Sequence, residues 1–231
     1  QYNILMELMY KKIITRNAQT VIKNIENNCN HPSSITVVLA TKNRSVDEAK
    51  YAASLFENVR LAENRAQSFR DKFTNDEIWD FIGQIQRNKV KYLVGKAKTI
   101  QSVCDIKICD EIERLCIINS TKQEILLQIN AGQEDNKAGL NFDDVYDFYS
   151  RVKNYSHITV KGLMLVTPLL TNIRREYFKE AKILYDTLRQ VDFNIEHLSM
   201  GMSNDYKIAI EEGSTMVRIG SALFGDRNYS K

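Results

Sequence analysis

Proline and glycine are scarce in this chain: 231 residues hold two prolines and nine glycines. No Pro-, Gly- or Ser-rich stretch divides the sequence, so one continuous domain over residues 1–231 is expected, with residues 1–30 as a helix packed on it. Cysteine is also sparse. The four, at positions 29, 104, 109 and 116, form no C-x-x-C pair, and the three histidines (31, 157, 197) stand at no ligand spacing to them. They read as reduced, structural thiols, which places the protein in the cytoplasm. No run of about 18 apolar residues occurs, so no membrane-spanning helix is expected. The first 26 residues lack the continuous apolar core and small-residue cleavage site of a signal peptide. The formal charge of +3 is a small excess of base, with both signs interspersed; nucleic-acid binding is not indicated. H-E-x-x-H, G-x-S-x-G and Walker A sequences are all missing, and with them the common signals for zinc peptidases, α/β-hydrolases and P-loop NTPases.

What is present is alternation. Apolar, β-rich runs lie near 35–40, 58–62, 78–82, 99–103, 124–130, 158–165, 195–200 and 215–219. Segments with helical spacing separate them: 46–56, 64–73, 86–94, 142–155 and 173–190. In the last, Ile173, Tyr177, Ala181, Leu184, Tyr185 and Leu188 mark one apolar face. At the N-terminus Ile4, Leu5, Leu8, Met9 and Ile13 recur at helical spacing. Eight strand–helix units in this length fit a (β/α)8 TIM-type barrel with an extra N-terminal helix. The competing open, doubly wound sheet would carry a Gly-rich turn after its first strand; here that turn is T-K-N-R-S.

In such barrels chemistry collects where strands end. The first strand ends in Thr41-Lys42, the second in Glu63-Asn64 and the third in Gly83-Gln84. Asn130 follows the fifth strand, and Met164 belongs to the sixth. The seventh and eighth give S-M-G-M-S-N-D and R-I-G-S-A-L-F-G. A lysine inside a walled mouth loses hydration, which favours the neutral, nucleophilic amine and Schiff-base formation with an aldehyde. Ser199, Gly201, Ser203, Gly220 and Ser221 let backbone approach a ligand closely, and amides opening a short helix at S-A-L-F would face a phosphate. Arg218 could meet that phosphate or a ring nitrogen. Plainer roles compete: Lys42 as a solvent-facing strand end, Arg218 in a structural ion pair, the glycines as ordinary turns. Taken together, the lysine and the phosphate cradle suit an aldehyde that carries a phosphate, pyridoxal 5′-phosphate.

The segments L-A-T-K-N-R-S, A-E-N-R-A-Q-S, D-F-I-G-Q-I-Q-R-N-K-V-K-Y-L, N-A-G-Q-E-D-N-K-A-G-L, K-G-L-M and the block from Leu198 to Gly225 resemble the pyridoxal phosphate homeostasis proteins, single-domain barrels similar to the N-terminal domain of alanine racemase. The match runs from about residue 35 to residue 226. Asn130, Glu134, Lys137 and Gly139 add an N-x3-E-x2-K-x-G pattern. The resemblance implies that Lys42 forms the internal aldimine, that Asn64 lies beside the cofactor, and that Ser199, Gly201, Ser203, Gly220 and Ser221 bind its phosphate. It also places Arg218 near the pyridine nitrogen, which would leave that nitrogen unprotonated and the ring a poor electron sink. Met164 and Met200 fall in the same cofactor-binding set. The implied function is a carrier in vitamin B6 homeostasis rather than an enzyme, with apo-enzymes as recipients and a monomer rather than an obligate oligomer. The alternative is an amino-acid racemase or related enzyme, although the chain is expected to lack the β domain from which alanine racemases draw a second base. A third reading, a phosphosugar-binding barrel without a Schiff base, leaves Lys42 as a neutralising charge only. Three positions depart from the family pattern: Asp80 stands where His is usual, Ala62 where Gly is usual, and Arg65 where an aromatic is common.

Overall fold

Near-continuous burial along short β-rich segments means that each strand has two buried faces, the helices covering one and closure of the sheet on itself covering the other. The computed structural model describes residues 2–132, 138–168 and 172–225, with side chains from residue 7 onward. Among them, eight strands form a closed parallel barrel in sequence order. These are β1 Thr36–Ala40, β2 Val59–Glu63, β3 Trp79–Phe81, β4 Thr99–Val103, β5 Gln123–Asn130, β6 Ile158–Val166, β7 His197–Met202 and β8 Met216–Ile219. Closure runs through β1 and β8, in register from Thr36 with Met216 to Leu39 with Ile219. Each expected run is a strand, within two residues at either end.

The two faces are chemically different. Leu39, Leu61, Trp79, Phe81, Ile100, Ile125, Leu127, Leu163, Leu198 and Ile219 point outward and join the helices in one large apolar cluster. Inward, a smaller cluster of Val38, Ala62, Leu126, Met164 and Met216 shares the barrel with polar side chains.

The helices are α1 Tyr2–Asn28, α2 Val46–Ala53, α3 Ala66–Lys72, α4 Ile106–Ile118, α5 Val145–Val152, α6 Arg174–Val191, α7 Tyr206–Glu211 and α8 Ser221–Phe224. A capping box starts α2: the Ser45 hydroxyl accepts from the Glu48 amide, and the Glu48 carboxylate accepts from the Ser45 amide. Helix α4 carries a clear signal that the sequence reading passed over. Asp105 caps it, and Ile108, Cys109, Ile112, Leu115 and Cys116 form its buried stripe. Burial pushes the Cys109 thiol up to about 12 and Cys116 up to about 11, and all four cysteines are free.

Three expectations need correction. Segment 86–94 holds a 3-10 turn, Arg87–Tyr92, rather than an α-helix; Val90 is its one buried residue, too little for an amphipathic face. On α1 the packed stripe is Ile14, Ala18, Val21 and Ile25, whereas Leu8 and Met9 are each 53% exposed and Ile13 is 42% exposed; the side chains of Ile4 and Leu5 lie outside the described residues. Helix α1 packs on α7 and α8, where Asn24 donates to the Tyr206 hydroxyl and Asn17 to the Leu223 carbonyl, and that contact sets its rotation. On α6, Ala181, Tyr185 and Leu188 are buried as expected and Phe178 joins them, while Ile173 at the N-cap is exposed.

Candidate functional site

The site begins with how the turn after β1 is held. The Thr41 amide donates to the Ala62 carbonyl at 2.9 Å, and the Thr41 hydroxyl, 3.1 Å from the same carbonyl, donates to Glu63 Oε1 at 2.7 Å. Glu63, 1% exposed, forms an ion pair with Lys72 of α3 at 2.6 Å, and the Lys72 ammonium donates to the Thr41 carbonyl at 2.9 Å. Thr41 and Glu63 therefore face the helices, not the mouth. Period-2 alternation turns the next residue, Lys42, over the barrel opening. Asn43, at φ 61°, completes the turn in a left-handed conformation that asparagine tolerates.

Lys42 is half-buried and lines a cavity of about 230 Å3 at the C-terminal ends of the strands. The other lining residues are Ala40, Arg44, Ala62, Asn64 and Ile82 from the segments of β1 to β3, and Gly220, Ser221, Phe224 and Gly225 from the segment after β8. Room is limited, below the roughly 300–1,000 Å3 of pockets for drug-sized ligands, and suits a single-ring molecule. The Asn64 Oδ1 atom is buried without a hydrogen-bond partner among the described residues. A buried acceptor left open costs free energy, so a donor from a ligand would relieve it. Gly83 makes this wall possible, because a Cβ there would come 1.9 Å from the Asn64 carbonyl oxygen. Gly220 has space instead: a Cβ would meet only Ala40, at ordinary contact distances of 3.6 and 3.8 Å. The amides of Gly220 and Ala222 both donate to Ser203 Oγ at 3.1 Å, so this hydroxyl gathers the cradle. Arg44 ties the wall to α1, donating to the Tyr10 hydroxyl and the Phe224 carbonyl.

Beneath the cavity the barrel is polar. Arg218, 5% exposed, donates to the Ser199 carbonyl and hydroxyl at 2.8 and 2.9 Å and to the Leu165 carbonyl at 2.8 Å. All three acceptors are neutral. Burial lowers its pKa to about 10, with Asp205 acting the other way. Deeper still, Arg60 lies 3.4 Å from Asp80 and donates to Thr99 Oγ1 and to His197 Nε2. Because a guanidinium can only donate, His197 Nε2 is the acceptor and its proton sits on Nδ1.

Of the residues singled out from sequence, Lys42, Asn64, Gly220 and Ser221 share the cavity wall, and Ser203 organises the amides behind it. Met164, Ser199 and Arg218 lie inside the barrel below. Met200 is buried in the outer cluster, on the helix side of β7. Gly201, at φ 88°, packs against α7, where a Cβ would lie 2.9 Å from Tyr206 Cα. Asn130 ends β5 and Gly139 packs against its backbone; Glu134 and Lys137 lie outside the described residues. Arg44 and Phe224 went unremarked in sequence, since their place on the wall depends on α1 and α8 meeting. Among the described residues no group of three or more His, Cys, Asp or Glu could hold a metal, and no helix is long and apolar enough to cross a membrane.

Residues 22–228 match the family model described as alanine racemase, N-terminal domain. A pyridoxal phosphate homeostasis protein of Aquifex aeolicus is 40% identical over 174 residues, covering 72% of this chain and 76% of its own. Its counterpart in Haemophilus influenzae is 33% identical and covers 94% of each chain. The chain belongs to the pyridoxal phosphate homeostasis protein family. Solved structures agree with this family's architecture. PipY of Synechococcus elongatus, solved without PLP, superposes with a TM-score of 0.80 at 25% identity, over 92% of this chain and all of that one; a second PipY structure has PLP bound, at 24% identity and TM-score 0.78. Alanine racemase of Clostridium difficile shares the fold at TM-score 0.68 and 17% identity, with 58% of its length covered. This homeostasis-family barrel is thus the one alanine racemase carries as its N-terminal domain.

Proposed function

We propose that this protein binds pyridoxal 5′-phosphate covalently through Lys42 and serves as an intracellular carrier of the cofactor in vitamin B6 homeostasis, delivering it to apo-enzymes in the cytoplasm. The observation that carries the reading is the position of Lys42, which opens on the same small cavity as Gly220, Ser221 and Asn64. The family's name and the PLP-bound PipY support pyridoxal phosphate as the ligand, and Lys42 is the amine that would hold its aldehyde. Three features of the cavity suit such a ligand. Asn64 offers an unpaired acceptor, Gly220 leaves room over the amides gathered by Ser203, and Arg218 places a buried positive charge beneath an anionic molecule. When bound, the cofactor would supply an electrophilic aldehyde for the Lys42 amine.

The wall supports a carrier rather than a racemase. Racemisation needs a base on each face of the substrate, and the described lining offers one amine, Lys42, with no tyrosine, histidine, cysteine or carboxylate facing it. The Tyr10 hydroxyl on α1 accepts from Arg44, and Tyr10 is not among the residues that line the cavity.

The test is a titration with pyridoxal phosphate followed by borohydride. The wild type should yield a visible absorption band that borohydride removes, with the label recovered on the peptide containing Lys42. Lys42→Ala should lose both while keeping its thermal transition. A labelled lysine elsewhere would refute the assignment. Turnover of alanine enantiomers at about 1–1,000 per second would replace the carrier with the racemase.

A further inference from the structure

Four strands deliver both a cavity wall and the layer below it. Residues two positions before Ala40, Ala62, Ile82 and Gly220 are Val38, Arg60, Asp80 and Arg218, and period-2 alternation puts each directly beneath. That floor holds two guanidiniums and one carboxylate. Asp80 is 0% exposed and takes only donors: the Thr99 amide on Oδ1 at 3.1 Å, the Gln101 amide on Oδ2 at 2.7 Å, and Arg60 on both oxygens at 3.4 Å. Such a shell fits an ionised carboxylate, which accepts and cannot donate.

The charge sets a direction that propagates. Gln101 must turn its NH2 toward Asp80, so its carbonyl oxygen faces the other way. There it accepts from the Ser199 hydroxyl at 2.7 Å. With its one proton committed to Gln101, Ser199 Oγ has only lone pairs to offer, and these accept from Arg218 Nη1 at 2.9 Å. Gln101 and Ser199 are both fully buried, so bulk solvent offers neither group an alternative partner. If the Gln101 amide were reversed, its NH2 would face Ser199. The hydroxyl proton would then point at a guanidinium, where it finds no acceptor.

We propose that Asp80 is a positioning residue for the ligand cavity: through Gln101 it fixes the Ser199 hydroxyl, and through that hydroxyl the Arg218 guanidinium beneath the bound ligand. This rests on the pyridoxal phosphate reading for the identity of the ligand. It assigns Asp80 a role at a distance, with two neutral side chains carrying its orientation across the barrel.

The test compares pyridoxal phosphate affinity with thermal stability in the full-length protein. The variants are Asp80→Asn, Gln101→Met, Ser199→Ala and the Asp80→Asn/Ser199→Ala pair. Gln101→Met interrupts the chain while leaving the Arg60–Asp80 contact in place, so it decides the matter even where Asp80→Asn fails to fold. Gln101→Met and Asp80→Asn should each weaken binding about tenfold, the scale of one buried hydrogen bond, and shift the visible band of the adduct. The pair should bind no worse than its weaker single variant, because both substitutions cut one chain. Wild-type affinity and an unshifted band in Gln101→Met, with only its melting temperature lowered, would overturn the proposal, as would losses that multiply in the pair. A wild type that forms no borohydride-reducible adduct would overturn the cofactor reading, and this inference with it.

Discussion

The outer and inner faces of the same eight strands follow different rules. Outward, Leu39, Leu61, Trp79, Phe81 and Ile100 pack on helices, and nearly every contact is apolar. Inward, Val38, Ala62, Leu126, Met164 and Met216 share the space with Arg60, Asp80, Thr99, Gln101, Ser199 and Arg218. Apolar packing is non-directional and tolerates rearrangement at modest cost. A closed hydrogen-bond chain has one correct arrangement, and each unmade bond inside it is expensive. Strength therefore resides on the outside of the barrel and geometry on the inside, beneath the cavity that needs it.

Substitutions can break or sharpen this contrast. Phe81→Ala, which removes a fully buried ring lying edge-on to Phe69, should cost about 3–5 kcal/mol. Its thermal transition should fall by about 10 °C, with ligand affinity at low temperature nearly unchanged. A larger loss of affinity than of stability would erase the distinction between the faces.

The Glu63–Lys72 pair is the exception on the outer face, where a buried charge serves the mouth. Lys72→Met would strand the Glu63 carboxylate, at about 3 kcal/mol, and loosen the turn that presents Lys42. Adding Glu63→Gln should recover most of the stability by chemical denaturation. No recovery in the double variant would mean that the pair is not the cause.

The smallest effect concerns pH. Burial, and then the Arg60 charge, lower the His197 pKa to about 4 from 6.5; Lys161 acts the same way, and Glu196 and Glu124 oppose it. The unfolded chain thus takes up a proton before the folded one does. Stability from this group is complete above pH 6.5 and drains away as pH falls toward 4. The slope is at most one proton, about 1.4 kcal/mol per pH unit, and less because the ring is partly exposed. His197→Gln should flatten the melting temperature across that window, and an unchanged slope would place the effect elsewhere.

Legibility in the sequence follows the same division. Strands were readable because β-branched runs with turn residues at their ends are a local signal, and the cavity lysine because it follows one of them directly. Helix α4 was equally local, with Asp105 as cap and a buried stripe through Cys109 and Cys116; as structural thiols those cysteines belong to the same apolar spacing as Ile108, Ile112 and Leu115. Asp80 could be seen as a departure from the family pattern but not as the start of a chain, since Gln101 and Ser199 reach it from other strands. Met200 stood beside Ser199 in sequence, yet alternation sends neighbouring side chains to opposite faces.

By itself the sequence determined the alternation of strands and helices, the closed barrel that this count implies, and an amine with small residues at the strand ends. These depend on residue type and spacing within a single segment. Tertiary structure alone decided which face of α1 packs, how Arg44 joins that helix to the cavity wall, and how Asp80, Gln101, Ser199 and Arg218 line up across the barrel. Each of those needs side chains from segments far apart to meet at hydrogen-bonding distance, and only barrel closure and register bring them there.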